Sequence, residues 1–165
     1  MMLYLVRHGI AIERGDSNCP PETERYLTRD GIKRTREVAK GISGLKVKPA
    51  LLITSPYVRS AQTAEIFAEA LGYAREKILQ SQALRPGSNP ADFLKEIAHA
   101  KADEVMCVGH VPHLDQLIAA AVGSRGVFTA LKKAGVAALE FESVGAGKAT
   151  PLWMLPPKIL RQMKS

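Results

Sequence analysis

Two arginines and two histidines of this chain stand where apolar runs end. Leu3–Val6 leads into Arg7-His8-Gly9, and Leu51–Thr54 into Ser55-Pro56 with Arg59 one turn later. Val105–Val108 leads into Gly109-His110. A guanidinium presents a planar fork of donors that fits the oxygens of a phosphoryl group. A neutral imidazole carries one nucleophilic nitrogen, and the other fixes the tautomer by donating a hydrogen bond. Each residue alone says little: an Arg-His pair is ordinarily a surface feature, and glycine after histidine is ordinary turn chemistry. The repeated placement is what points to a site. In open parallel sheets, ligands bind beyond the carboxyl ends of the strands. The N-termini of helices attract anions there. Arg7, His8, Arg59 and His110 are therefore expected to converge on one phosphate cleft.

The elements that position them read as alternating strands and helices. Besides the three runs above, Ile78–Leu84 is a weaker strand candidate, and Val136–Phe141 and Leu152–Leu155 are separated by a Gly-rich turn that suggests a hairpin. Thr28 is placed to cap a helix with Ile32, Val38, Ala39 and Ile42 on its inner face. A second helix presents Ala61, Ala64, Phe67, Ala68 and Leu71, and Gly72 is placed to stop it. Asn89-Pro90 opens a third, with Phe93, Leu94, Ile97 and Ala98, and Leu114, Leu117, Ile118 and Ala121 mark a fourth. Short apolar strands alternating with amphipathic helices predict an α/β fold of three layers. Its sheet should be mainly parallel and covered on both faces. The basic stretch Lys158–Ser165 reads as a solvated end.

Composition narrows the function. The 165 residues fit one domain spanning 1–165, and a 46% hydrophobic and 24% charged content is ordinary for a globular protein. No run approaches the roughly 20 apolar residues of a membrane helix, and Met1–Val6 is too short for a signal peptide. The expected compartment is the cytoplasm, with no membrane partner. Cys19 and Cys107 lie in unlike surroundings with no Cys-x-x-Cys spacing, so neither a metal site nor a redox pair is expected. The net charge is +7, but the basic residues are scattered and aromatics are only 5%, which disfavours nucleic acid. An anionic substrate or an acidic partner accounts for the charge equally well.

Taken together, these motifs resemble the histidine phosphatase superfamily of phosphoglycerate mutases and acid phosphatases. The matching features are Leu5-Val6-Arg7-His8-Gly9, Leu27-Thr28 with Gly31, Ser55-Pro56 through Thr63, and Val108-Gly109-His110, in the family's order. Within it the chain looks most like the small SixA-type phosphohistidine phosphatases, through Arg25-Tyr26-Leu27-Thr28, Gly109-His110-Val111-Pro112 and the stretch around Trp153–Pro156. The resemblance implies a phosphoglycerate mutase-like fold without a helical lid and catalysis without metal or other cofactor. It implies His8 as nucleophile through a covalent phosphohistidine intermediate. Arg7, Arg59 and His110 would hold the phosphoryl oxygens, with Arg25 as a further donor.

The chain also departs from larger relatives. Many of them carry an Asn a few residues after Arg-His-Gly, where this chain reads Ile10–Arg14. Many also place a catalytic Glu just beyond the third strand, where this chain reads Leu84-Arg85-Pro86-Gly87. Asp16, Glu22 and Glu24 remain as alternative acids on the first loop, and the residues do not choose among them. His113 is expected to be structural at a helix start, and His99 solvent-facing at a helix end. The expected substrate is phosphohistidine on a protein; the alternative is a small phosphate ester such as a sugar phosphate. Sequence leaves the oligomeric state open.

Overall fold

The computed structural model describes residues 1–163. Its centre is strand β1 (Met2–Arg7), which pairs in parallel with β4 (Glu104–Gly109) and antiparallel with β5 (Val136–Phe141). Strand β2 (Leu51–Thr54) lies outside β4, and the short β3 (Leu79–Gln80) pairs with β2 at the edge. Strand β6 (Ala149–Leu155) closes the other edge, antiparallel to β5. The order across the six-stranded sheet is β3-β2-β4-β1-β5-β6. The fold is thus α/β with a mostly parallel sheet, and β5–β6 is the expected hairpin, longer at its second strand.

The strands are apolar on both faces because both are covered. On one face, Tyr4, Val6, Leu52, Met106 and Val108 pack with Val38, Ala39 and Ile42 of α1 (Arg29–Gly44). Ala64 and Phe67 of α2 (Val58–Leu71) join the same layer. On the other, Leu3, Leu5, Ile53, Val105 and Cys107 pack with Phe93, Leu94 and Ile97 of α3 (Pro90–Ala98). Leu114, Leu117, Ile118 and Ala121 of α4 (His113–Val122) complete that layer. Ala98, expected on the inner face, is exposed. The punctuation follows local chemistry. Thr28 Oγ1 accepts from Gly31 N at 2.9 Å, Asn89 Oδ1 accepts from Ala91 N, and Gly72 ends α2 at φ 66°.

Two further expectations fail. The strand expected over Ile78–Leu84 shrinks to Leu79–Gln80, and Gln82–Leu84 is a 3₁₀ turn instead. The Ser81 hydroxyl accepts from Ala83 N, which draws the chain into that turn just past its last bond to β2. The C-terminal stretch is not wholly solvated either. Pro157–Leu160 forms the short helix α5 and Leu160 is fully buried, while Lys158 and Arg161 are exposed as expected. The reason is Gly41 of α1, where a Cβ would come 2.1 Å from the Leu160 carbonyl oxygen. The last residues of that stretch, 164 and 165, lie outside the described residues. Between β3 and α3 there is only the turn, with no helical lid.

A second close approach sets the active end of the sheet. A Cβ on Gly31 would stand 2.1 Å from the Ile10 carbonyl oxygen, and one on Gly9 would stand 2.3 Å from Thr35 Oγ1. Helix α1 therefore rests directly on the loop that follows β1. Gly31→Ala should cost about 1–3 kcal/mol through overpacking, whereas Gly15→Ala, with open space around it, should be near neutral. Urea unfolding of the two variants checks this; equal stabilities would remove the packing argument.

Candidate active site

All three strand exits deliver their side chains to one place. His8 leaves β1 with its Nδ1 2.7 Å from the carbonyl of its neighbour Gly9, so Nδ1 carries the proton and Nε2 presents a lone pair. Gly9 is itself held, since its N–H donates to Thr63 Oγ1 at 3.0 Å. From α2, Arg59 turns its Nε toward His8 Nε2 at 3.3 Å. From β4, His110 faces His8 with ring centroids 5.2 Å apart. Its Nε2 lies 2.8 Å from Ser55 Oγ and 3.3 Å from Ser60 Oγ, leaving Nδ1 buried without a partner. The Tyr57 ring stands edge-on to His110 at 5.1 Å and beneath the Arg59 guanidinium at 5.2 Å.

The first loop closes the site with charge. Glu22 Oε1 accepts from Arg59 at 3.0 Å, Arg25 at 3.2 Å and Arg14 at 2.9 Å. Arg25 also grips the Ile12 carbonyl through Nε and NH2, and Arg59 NH1 donates to the Glu22 carbonyl. The Arg14 hydrogen bonds, with Arg59 and Arg25 nearby, bring the Glu22 carboxyl down to about 2. Of the three candidate acids, only Glu22 joins the arginines. Asp16 accepts from the Asn18 amide in an exposed turn, and Glu24 is exposed.

Arg7 is set somewhat apart. Its NH1 donates to the Leu131 carbonyl at 2.8 Å, and its buried Nε has no partner among the described residues. Burial lowers its pKa and the nearby Asp115 raises it. Asp115, not singled out from sequence, is buried and occupied by Thr129 Oγ1 and Leu131 N. His113 sits fully buried at the first position of α4, and neither ring nitrogen has a partner among the described residues. His99 is exposed at the end of α3, as expected.

Sequence reasoning named most of the charged groups of the site and missed Arg14 and the uncharged residues that hold them. Thr63, Ser60, Tyr57 and Arg14 carry no chemistry that stands out in a list of types. The available signal was helical spacing, since Thr63 follows Arg59 by one turn on α2 and shares its face. Among the described residues, no cluster of three or more His, Cys, Asp or Glu side chains is gathered as metal ligands. No described helix is long and apolar enough to cross a membrane.

Burial among cations decides the protonation of the histidines. It pushes His8 down to about 3; the Gly9 carbonyl resists this, while Arg59, Arg7 and Arg25 add to it. Burial likewise brings His110 down to about 2, helped by His8 and Arg59. Both rings should therefore stay neutral in the folded protein through pH 5, and their ring proton shifts should show no inflection near 6.5. The unfolded chain binds protons at these histidines below about 6.5, and the folded chain does not until about 3. Stability should hold above pH 6.5 and fall as pH drops from there toward 3. An NMR titration checks both rings, and either one titrating near 6.5 would contradict the site as described.

Comparison with known proteins places this geometry. Residues 3–85 match the family model of the histidine phosphatase superfamily, branch 1. An uncharacterized protein of Picosynechococcus sp. is 34% identical over 94% of this chain and its own full length. Phosphohistidine phosphatase SixA of Escherichia coli K12 is 24% identical over all of this chain and 99% of its own. The solved structure of protein histidine phosphatase SixA complexed with tungstate superposes with a TM-score of 0.83. It covers 97% of this chain and 99% of its own at 21% identity. With a superfamily match from β1 through Arg85 and a relative similar over nearly its whole length, the chain belongs to branch 1 of the histidine phosphatase superfamily and is an enzyme of the histidine phosphatase type.

Proposed function

We propose that the chain dephosphorylates phosphohistidine on a protein, through a covalent phosphohistidine intermediate on His8. The observation that carries the reading is a neutral, nucleophile-ready imidazole among arginines, with no protonated acid beside it. His8 Nε2 attacks phosphorus once the substrate has drawn Arg59 onto its oxygens. The substrate P–N bond breaks, and the leaving imidazole, protonated on its other nitrogen by solvent, departs neutral. Water then attacks phospho-His8, releasing inorganic phosphate and restoring the ring. Arg59, Arg25 and Arg7 stabilise the equatorial oxygens, with the unpaired Nδ1 of His110 as a further donor. Ser55 and Ser60 fix the His110 ring by taking up its Nε2. SixA, which this chain resembles in fold, is by name a phosphohistidine phosphatase.

The chemistry of the leaving group supports this choice. An alkoxide leaves poorly and needs a proton from a positioned acid. The one carboxylate on the arginine cluster, Glu22, is brought down to about 2 by those arginines, so while it stays paired with them it carries no proton for a leaving group. The absence of a lid between β3 and α3 leaves the cleft open to a macromolecule.

His8→Ala should lower turnover by more than about a thousandfold with the fold intact. Rapid quenching of the parent enzyme should trap acid-labile label on His8, with turnover unaffected by a chelator. Acid-stable label on a serine or aspartate would sink the mechanism, and loss of activity restored by added magnesium or zinc would place a metal in it.

A second reading, hydrolysis of a small phosphate ester, draws on Glu22 itself. A substrate that displaces it from the arginines frees a carboxylate near the leaving group. The two readings separate on Glu22→Gln. We expect this variant to lose less than about tenfold in rate, roughly 1.4 kcal/mol of barrier, and the parent to show a higher kcat/KM for phosphohistidine protein than for any common sugar phosphate. Collapse of the variant together with a sugar phosphate as the far better substrate would favour the ester.

A further inference from the structure

Beside the catalytic loop, on the α1 side, lies a cavity of about 650 Å³ with a one-signed lining. Arg7, Arg34, Lys132, Lys133, Lys158 and Arg161 contribute to it, and no acidic residue does. Its apolar lining comes from Ile10, Ala134 and Pro157. Two of the cations are already answered: Arg34 pairs with Asp30 at 2.8 Å, and Arg161 pairs with Glu37. Lys132, Lys133 and Lys158 are exposed and join none of the ion pairs among the described residues. They come from two separate parts of the chain, the loop before β5 and helix α5. The groove touches the active site through Arg7 and Ile10, which flank His8 and Gly9 in sequence.

We propose that this groove docks an acidic segment flanking the phosphorylated histidine of the protein substrate. The proposal rests on the phosphoprotein reading above and says where such a substrate is held. Exposed lysines spread over a surface strip do not make the few convergent, buried polar contacts that orient a small ligand. They do attract a run of carboxylates and speed its encounter. Apolar patches between them suit the aliphatic parts of a peptide. A segment lying there reaches His8 past Arg7, whereas a small ester entering the cleft need not touch the lysines at all.

The test uses the full chain, a Lys132→Gln/Lys133→Gln/Lys158→Gln variant and three substrates. Two are phosphohistidine peptides of one sequence, flanked by glutamates or by glutamines; the third is para-nitrophenyl phosphate. At low salt the parent should prefer the glutamate peptide by about tenfold in kcat/KM, within the range of electrostatic steering. The preference should shrink as salt rises. The variant should lose the preference and keep the parent's rate on para-nitrophenyl phosphate. Equal rates on the two peptides by the parent, or a preference that survives in the variant, would overturn the docking site while leaving the phosphohistidine reading intact. An equal loss on para-nitrophenyl phosphate would assign the lysines to the catalytic cleft and overturn it too. A parent that hydrolyses para-nitrophenyl phosphate and neither peptide would overturn the substrate reading, and the docking site with it.

Discussion

The hydrogen bond from His8 Nδ1–H to the Gly9 carbonyl governs the arrangement of the site, because it decides which nitrogen faces the cleft. That bond needs a particular setting of the Gly9 peptide, and two helices supply it. Thr63 of α2 takes the Gly9 N–H, and α1 presses on the same loop where Gly31 meets the Ile10 carbonyl. A side chain on Gly31 would meet the Ile10 carbonyl and one on Gly9 would meet Thr35 Oγ1 of α1, so neither glycine tolerates a larger residue without movement. The position of α1 is supported in turn at its other end, where Gly41 admits the Leu160 carbonyl. Backbone packing at two glycines of one helix thus connects the C-terminal segment to the orientation of a single imidazole.

Electrostatics adds a second constraint. Burial penalises a positive charge on either histidine ring and the nearby arginines add to that penalty, so both imidazoles stay neutral and the arginines keep the charge. An unbalanced cluster of guanidiniums would be costly to bury. Glu22 offsets it from the loop while remaining partly exposed. Arg59 is the shared member, touching the histidine and the carboxylate at once.

Much of this was legible in the sequence, for identifiable reasons. Apolar strands ending in Arg-His-Gly, Ser-Pro and Gly-His announce both a parallel sheet and the residues at its carboxyl edge, because topology alone brings those ends together. Thr28, Gly72 and Asn89-Pro90 mark helix ends through local chemistry, which needs no tertiary information. What escaped depends on contacts between distant segments. Leu160 looked solvated because nothing nearby says that Gly41 leaves room for it. Ile78–Leu84 carries strand-like residues, but an edge strand with one neighbour is easily shortened by a competing Ser81 turn. The choice of Glu22 over Asp16 and Glu24 is set by the reach of Arg14, Arg25 and Arg59, and no spacing rule encodes that.

The carboxylate of Glu22 also bears on how a catalytic cycle ends. It is tethered to the loop that carries Arg25, so its local concentration near the guanidiniums is on the order of millimolar or above. In the proposed reaction, inorganic phosphate held by Arg59 would therefore face an anion that never diffuses away. On the reading proposed above, Glu22 would take the place of phosphate as it loosens, and rebinding would be suppressed without any lid opening. A site this rich in positive charge would otherwise trap its own product. The same side chain that offsets the arginine cluster would thus help to clear it for the next substrate.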